Sequence, residues 1–81
     1  MLITVRLFAR LREIAGAPEL TVVVPERATV QDAWQSLAER FPALGAYAGT
    51  VSCAVNEDYA RMNAALKNGD EVAFLPPVSG G

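Results

Sequence analysis

Thr29-Val-Gln-Asp-Ala-Trp-Gln-Ser-Leu-Ala-Glu-Arg-Phe41 is the stretch that decides the architecture of this chain. Its apolar residues recur with the spacing of one helix face: Val30, Ala33, Trp34, Leu37, Ala38 and Phe41. Thr29 and Asp32 have the spacing of a capping box, and Pro42 disfavours helix at the residue before it. We therefore predict one amphipathic helix from about Val30 to Phe41, which must bury its apolar stripe against another layer.

The segment before this helix predicts two strands and a short helix. Residues 2–9 alternate between apolar and more polar faces, as in a half-buried strand. The apolar residues within 9–15 recur at helical spacing, and Gly16 with Pro18 ends this short helix. A β-branched run follows and stops at Pro25. We expect the two strands to form an antiparallel pair.

The segment after the main helix predicts three more strands. An irregular turn is expected at residues 43–50, a strand at 51–56 and a short strand at 59–61. The turn signal at 67–70 precedes a last strand at 72–75. This order predicts an α+β fold of two layers, in which one main helix covers one face of a mixed sheet. We expect the first and last strands to pair in parallel at its centre.

Composition excludes several classes of protein. The 81 residues fit one domain, and a hydrophobic fraction of 52% is sufficient for a core. With a net charge of -2 and no Lys or Arg block, nucleic acid and membrane are poor partner hypotheses. Arg6 interrupts the apolar N-terminus, so a signal peptide is not expected. The single Cys53 excludes an intrachain disulfide and fits a reducing compartment, so we expect a cytoplasmic protein.

Reactive side chains are scarce, which directs attention to the C-terminus. The chain has no histidine, and no residue pattern indicates a triad or a metal site. Cys53 shares a strand face with core residues, where a thiol is commonly inert. We therefore predict the carboxylate of Gly81 as the reacting group, with Gly80 keeping the tail thin. Residues 1–77 are expected to form the domain and residues 78–81 a flexible tail.

A partner surface is predicted on the sheet face opposite the main helix. Phe8, Ala73 and Leu75 fall on that face, and Tyr59 is a candidate to join them. Contiguous exposed apolar residues often mark an interaction site. The alternative is scattered surface apolar residues or a different strand register.

Several stretches resemble a known family. Leu7-Phe8-Ala9 leads into Leu11-Arg12-Glu13, and Ala54-Val55-Asn56 lies in the third predicted strand. The most specific stretch is Gly69-Asp-Glu-Val-Ala-Phe74 followed by Pro76-Pro-Val-Ser-Gly-Gly81. Over its whole length the chain resembles the ubiquitin-like β-grasp fold and, within it, the small sulfur-carrying subunits of molybdopterin synthase. That family often has a second aromatic residue where this chain has Leu75.

The resemblance implies a two-subunit sulfurtransferase. An E1-like activating enzyme would use ATP to adenylate the carboxylate of Gly81, and a sulfur donor would convert the adenylate to a thiocarboxylate. The tail, with Pro76, Pro77, Val78 and Ser79, would enter the large subunit and pass sulfur to a cyclic pterin phosphate, forming the molybdopterin dithiolene. Catalytic side chains would lie on the large subunit, no cofactor would bind this chain, and two small and two large subunits would assemble.

Three alternatives to this function remain open from the residues. The chain could carry sulfur for thiamine synthesis or tRNA thiolation, or it could be a ubiquitin-like modifier that forms isopeptides with lysines. It could also be a non-covalent binding module whose tail does no chemistry. Only the last alternative predicts that deletion of Gly81 leaves activity intact.

Overall fold

The computed structural model describes residues 1–77 and confirms the predicted order of elements. The elements are β1 (Leu2–Leu7), α1 (Ala9–Ala15), β2 (Glu19–Val23), α2 (Val30–Arg40), a 3-10 helix (Pro42–Tyr47), β3 (Ser52–Val55), β4 (Asp58–Ala60) and β5 (Glu71–Leu75). The predicted flexible tail, residues 78–81, lies outside the described residues.

The predicted irregular turn at residues 43–50 was wrong for most of its length, because a 3-10 helix spans Pro42–Tyr47. Proline suits the start of a helix, since its ring fixes φ and its missing N–H would have no partner there. The amide of Leu44 donates to the carbonyl of Phe41 at 2.9 Å. Leu44 is fully buried, so burial of its side chain stabilises this turn. A single contact of this kind leaves no periodic pattern in the sequence.

The five strands form one mixed sheet in the order β2-β1-β5-β3-β4. β1 and β5 pair in parallel, and the other three pairs are antiparallel. The predicted N-terminal antiparallel pair and the parallel pairing of the first and last strands are therefore both confirmed. β5 is the central strand, so the chain leaves the sheet from its middle.

Helix α2 packs against one face of this sheet and closes the core. Its residues Val30, Ala33, Trp34 and Leu37 are buried, whereas Ala38 and Phe41 at the end of the predicted stripe are half-buried. The rings of Trp34 and Phe74 lie 4.9 Å apart between centroids, with an interplanar angle of 59°. A tilted pair at this distance is a favourable aromatic geometry.

The start of α2 is fixed by its cap and by the loop before β5. The predicted capping box is present: Thr29 N–H donates to Asp32 Oδ2 at 2.8 Å, and Asp32 N–H donates to Thr29 Oγ1 at 3.4 Å. Val30 N–H also donates to the carbonyl of Ala64 at 3.0 Å. Because the first amides of a helix lack partners within it, these contacts stabilise both the helix and the loop. Leu66, in the same loop, is buried and anchors it to the core.

A polar network fixes the beginning of β5. Glu71 N–H donates to Asn56 Oδ1 at 3.0 Å, and Asn56 Nδ2 donates to Asp70 Oδ1 at 3.0 Å. Lys67 N–H donates to Asp70 Oδ2 at 2.8 Å. The hydrogen bond from Asn56, followed by that from Lys67, holds the pKa of Asp70 below its ordinary value. The network joins the β3–β4 turn to β5 and so helps to set the register of the central strand.

Candidate partner-binding surface

The C-terminal segment leaves the sheet beside the end of β1. β5 runs parallel to β1, and Phe74 is the partner of Leu7 in the last pair of that ladder. Leu75 ends β5, and the half-buried Pro76 and exposed Pro77 follow it. The site residues predicted at Val78, Ser79, Gly80 and Gly81 lie outside the described residues, so their roles stay predictions. The described residues show only that the chain leaves β5 after Leu75 and continues through Pro76 and Pro77.

One row of residues crosses four strands on the face opposite α2. The strand register pairs Arg6 with Ala73, Ala73 with Ala54, and Ala54 with Tyr59. Directly paired residues of neighbouring strands lie on the same face of a sheet. The structure therefore places the predicted Ala73 and Tyr59 on one face and connects them through Ala54, which is buried.

Phe8 and Leu75 extend this row toward the start of the tail. Phe8 directly follows β1 with φ -125° and ψ 154°, so its backbone continues the extended strand. Since Leu7 pairs with Phe74, the next positions are Phe8 and Leu75. Phe8 is 36% exposed and Tyr59 82% exposed, while Ala73 and Leu75 are half-buried. We call Phe8, Ala54, Tyr59, Ala73 and Leu75 the outer patch.

Arg6 lies at the margin of the outer patch. Its guanidinium carbon is 5.5 Å from the centroid of the Phe8 ring, within the range of a cation–π contact. Its Nη1 atom is 3.5 Å from Glu71 Oε1 on the neighbouring strand. Both side chains are partly exposed, so this ion pair contributes little to stability.

Three residues on this face were not predicted from the sequence to belong to the site: Leu2, Val23 and Ala54. Ala54 could have been found, because it alternates with Cys53 and so must face outward. Leu2 and Val23 are register partners on the same face and are 53% and 72% exposed. They lie at the other end of β1 from Phe8, and only the pairing of β1 with β2 brings them together.

Cys53 is a core residue and a weak candidate for a nucleophile. Its side chain is buried, and its Sγ atom donates to the carbonyl of Ala60 at 3.2 Å. Burial raises the pKa of the Cys53 thiol, which disfavours the reactive thiolate. This placement agrees with the predicted core position.

The described residues contain neither a metal cluster nor a membrane helix. Within residues 1–77, no three His, Cys, Asp or Glu side chains are grouped so that they could hold a metal ion. The helices over that range are also too short or too polar to cross a bilayer. What these residues present on the side opposite α2 is a partly exposed apolar surface beside the point where the chain leaves β5.

Comparison with known proteins gives consistent matches over the full chain. The ThiS family matches residues 5–81. The molybdopterin synthase sulfur carrier subunit of Arabidopsis thaliana is 42% identical over 79 residues, which cover 98% of this chain and 82% of that protein. The protein of the same name from Chlamydomonas reinhardtii is 41% identical over 83 residues, and the match covers 100% of this chain and 100% of that protein.

A solved structure supports the same relationship. The crystal structure of the small archaeal modifier protein 1 of Haloferax volcanii superposes with a TM-score of 0.87 at 33% identity, covering 95% of this chain and 98% of that one. The likeness confirms the predicted ubiquitin-like β-grasp fold. Together with the sequence matches, it shows that the chain belongs to the ThiS family and is a relative of the molybdopterin synthase sulfur carrier subunits.

Proposed function

We propose that this chain is a sulfur carrier subunit of a molybdopterin synthase and that Gly81 carries the sulfur as a thiocarboxylate. The observation that supports this most is where the described chain leaves the sheet. It leaves the central strand β5 after Leu75, next to Phe8, so a partner that covers the outer patch would also lie close to the residues that lead toward Gly81. The full-length similarity to sulfur carrier subunits points to the same role.

The chemistry of the chain fits a carrier better than a self-sufficient enzyme. A carboxylate is a poor electrophile, and adenylation of Gly81 by an E1-like enzyme, with release of pyrophosphate from ATP, would activate its carbonyl. A donor of sulfide-level sulfur would then form the C–S bond as the acyl–phosphate bond breaks and AMP leaves. The resulting thiocarboxylate is a covalently held nucleophile. This chain has no histidine, and its one thiol is buried, so general acids and bases would come from the large subunit.

The outer patch would dock the large subunit, and the segment after β5 would direct the tail into its active site. Pro76 and Pro77 restrict the backbone at the exit from the sheet, which reduces the entropy lost when the tail is bound. Phe8, Tyr59 and Leu75 would supply most of the apolar contact. The synthase would contain two small and two large subunits, with sulfur transferred to a cyclic pterin phosphate.

The test is the mass of the C-terminal tryptic peptide, Asn68 to Gly81, from protein isolated with its activating enzyme under sulfur-replete conditions. We expect exchange of one oxygen for sulfur at Gly81. The peptide contains no Met, Cys or Trp, so oxidation of these residues cannot imitate the exchange. A matched Cys53→Ala variant should still load sulfur, whereas deletion of Gly81 should abolish transfer to the pterin. A plain carboxylate under these conditions would contradict the carrier function.

A ubiquitin-like modifier is the second candidate, and one observation favours it. The structural similarity to small archaeal modifier protein 1 covers nearly the whole chain. A modifier would give Gly81 in amide linkage to lysine of another protein, so the same peptide analysis separates the two functions.

A further inference from the structure

Arg6 is a charged residue at the margin of the outer patch, beside Phe8. The strand register sets it between Glu19 on β2 and Ala73 on β5. Its guanidinium contacts the Phe8 ring at 5.5 Å and Glu71 at 3.5 Å. A partner that covers Phe8 and Ala73 must therefore also cover part of Arg6.

The hydrogen-bonding capacity of this guanidinium is largely unused within residues 1–77. An arginine carries five N–H donors. The ionic contact to Glu71 engages one nitrogen at a distance longer than a good hydrogen bond. If a partner removes water from the remaining donors without supplying hydrogen-bond acceptors, the free-energy cost of burying the charge opposes binding. A partner that supplies an acceptor avoids this penalty.

The contact with Phe8 also restrains the guanidinium before any partner arrives. A planar guanidinium that is already stacked on an aromatic ring loses less conformational entropy when it forms hydrogen bonds to a partner. Carboxylates match its fork of donors and can accept two hydrogen bonds from it. Glu19 and Glu71 flank Arg6 and repel an extended polyanion, so a single carboxylate on a folded protein fits this margin better than nucleic acid does.

We propose that Arg6 is a specificity-determining residue of the outer patch, and that it selects a protein partner which places an Asp or Glu carboxylate against its guanidinium. This inference rests on the proposed function, because it takes the large synthase subunit as the partner that covers the outer patch. Arg6 would act in recognition only and would take no part in sulfur transfer.

The test is calorimetric titration of the large subunit from the same organism with the full chain and its variants. We expect Arg6→Gln to weaken binding about 10-fold or more, since a charged partner would be left unpaired. Arg6→Lys should also weaken binding several-fold, because lysine lacks the fork. The matched control is Arg40→Gln: the Arg40 guanidinium lies 5.3 Å from the Phe41 ring in a similar stack, but at the end of α2 on the other side of the sheet. Its affinity should stay within about twofold of wild type, as for a residue remote from the interface.

A second variant separates partner recognition from a structural role of the Arg6–Glu71 pair. Glu71→Gln breaks that pair but leaves the guanidinium available, so we expect unchanged or tighter binding. Binding weakened as much as in Arg6→Gln would overturn the inference, because the internal pair would then carry the effect. Thermal unfolding checks that each variant is folded. If Arg6→Gln does not fold, the affinity of Arg6→Lys decides whether the inference stands.

The titration also distinguishes failure of this inference from failure of the proposed function. Tight binding of wild type with unchanged affinity of Arg6→Gln overturns the role of Arg6 alone. Absence of wild-type binding to the large subunit overturns both proposals.

Discussion

The two faces of the central strand β5 differ in what their side chains contact. Val72 and Phe74 point to α2 and are fully buried, and Phe74 packs on Trp34. Ala73 and Leu75 alternate with them, face away from α2 and are half-buried. The same five-residue strand therefore contributes to the core on one side and to the outer patch on the other.

This comparison indicates that the side of the sheet a residue faces, rather than its burial alone, separates residues that pack the core from residues accessible to a partner. The inner face is packed within the chain, so substitutions there should change the free energy of unfolding. The outer patch keeps exposed aromatic residues at Phe8 and Tyr59, so substitutions there should change affinity instead.

Phe74→Ala should destabilise the protein by about 3–5 kcal/mol, because it removes a fully buried ring and leaves a cavity beside Trp34. Leu75→Ala, one residue further along the same strand, is the matched control. It should lower the free energy of unfolding by less than about 1.5 kcal/mol, since Leu75 is only half-buried. Urea denaturation of both variants measures the difference. Equal losses of unfolding free energy in the two variants would contradict the assignment of one face of β5 to the core and the other to the outer patch.

Phe8→Asp should weaken binding of the large subunit by about 2–4 kcal/mol, the range of an apolar interface anchor. The fold should survive, because Phe8 is exposed and directly precedes α1, where Asp is favoured over apolar residues. Calorimetric titration measures affinity, and circular dichroism measures stability.

The control for Phe8→Asp is Val23→Asp. Val23 is more exposed than Phe8 and lies on the same face, but at the far end of β1. If Val23→Asp weakens binding as much as Phe8→Asp, the docking surface extends across the whole sheet rather than over the outer patch alone.

Asp70→Asn should destabilise the protein by about 1–2 kcal/mol at pH 7, because a charged acceptor of two hydrogen bonds is replaced by a neutral one. The folded-state pKa of Asp70 lies below its ordinary value, so its contribution is present above the unfolded pKa and is lost as pH falls through the folded one. The difference between wild type and variant should therefore shrink below about pH 4. Urea denaturation across pH, with Glu39→Gln as an exposed control, checks this; a constant difference would contradict it.

Much of the fold followed from local patterns in the sequence. The apolar stripe of α2, its Thr29–Asp32 cap and the alternation in β1 and β5 depend on helix and strand periods that involve only neighbouring residues. The same alternation placed Phe8, Ala73 and Leu75 on one face. The 3-10 helix at Pro42–Tyr47 could not be predicted in this way, because its stability depends on burial of Leu44 against the rest of the chain.

Local patterns in the sequence thus specified the strands, the two α-helices, the face that each strand side chain occupies and the family resemblance of the C-terminal stretch. Which strands lie side by side, and so which residues share one surface, depends on the tertiary structure. The order β2-β1-β5-β3-β4 puts Ala54 between Ala73 and Tyr59, and the pairing of β1 with β5 brings Arg6 to Glu71. The physical reason is that strand pairing joins residues distant in sequence, and their register depends on the packing of the whole sheet against α2 rather than on any local period.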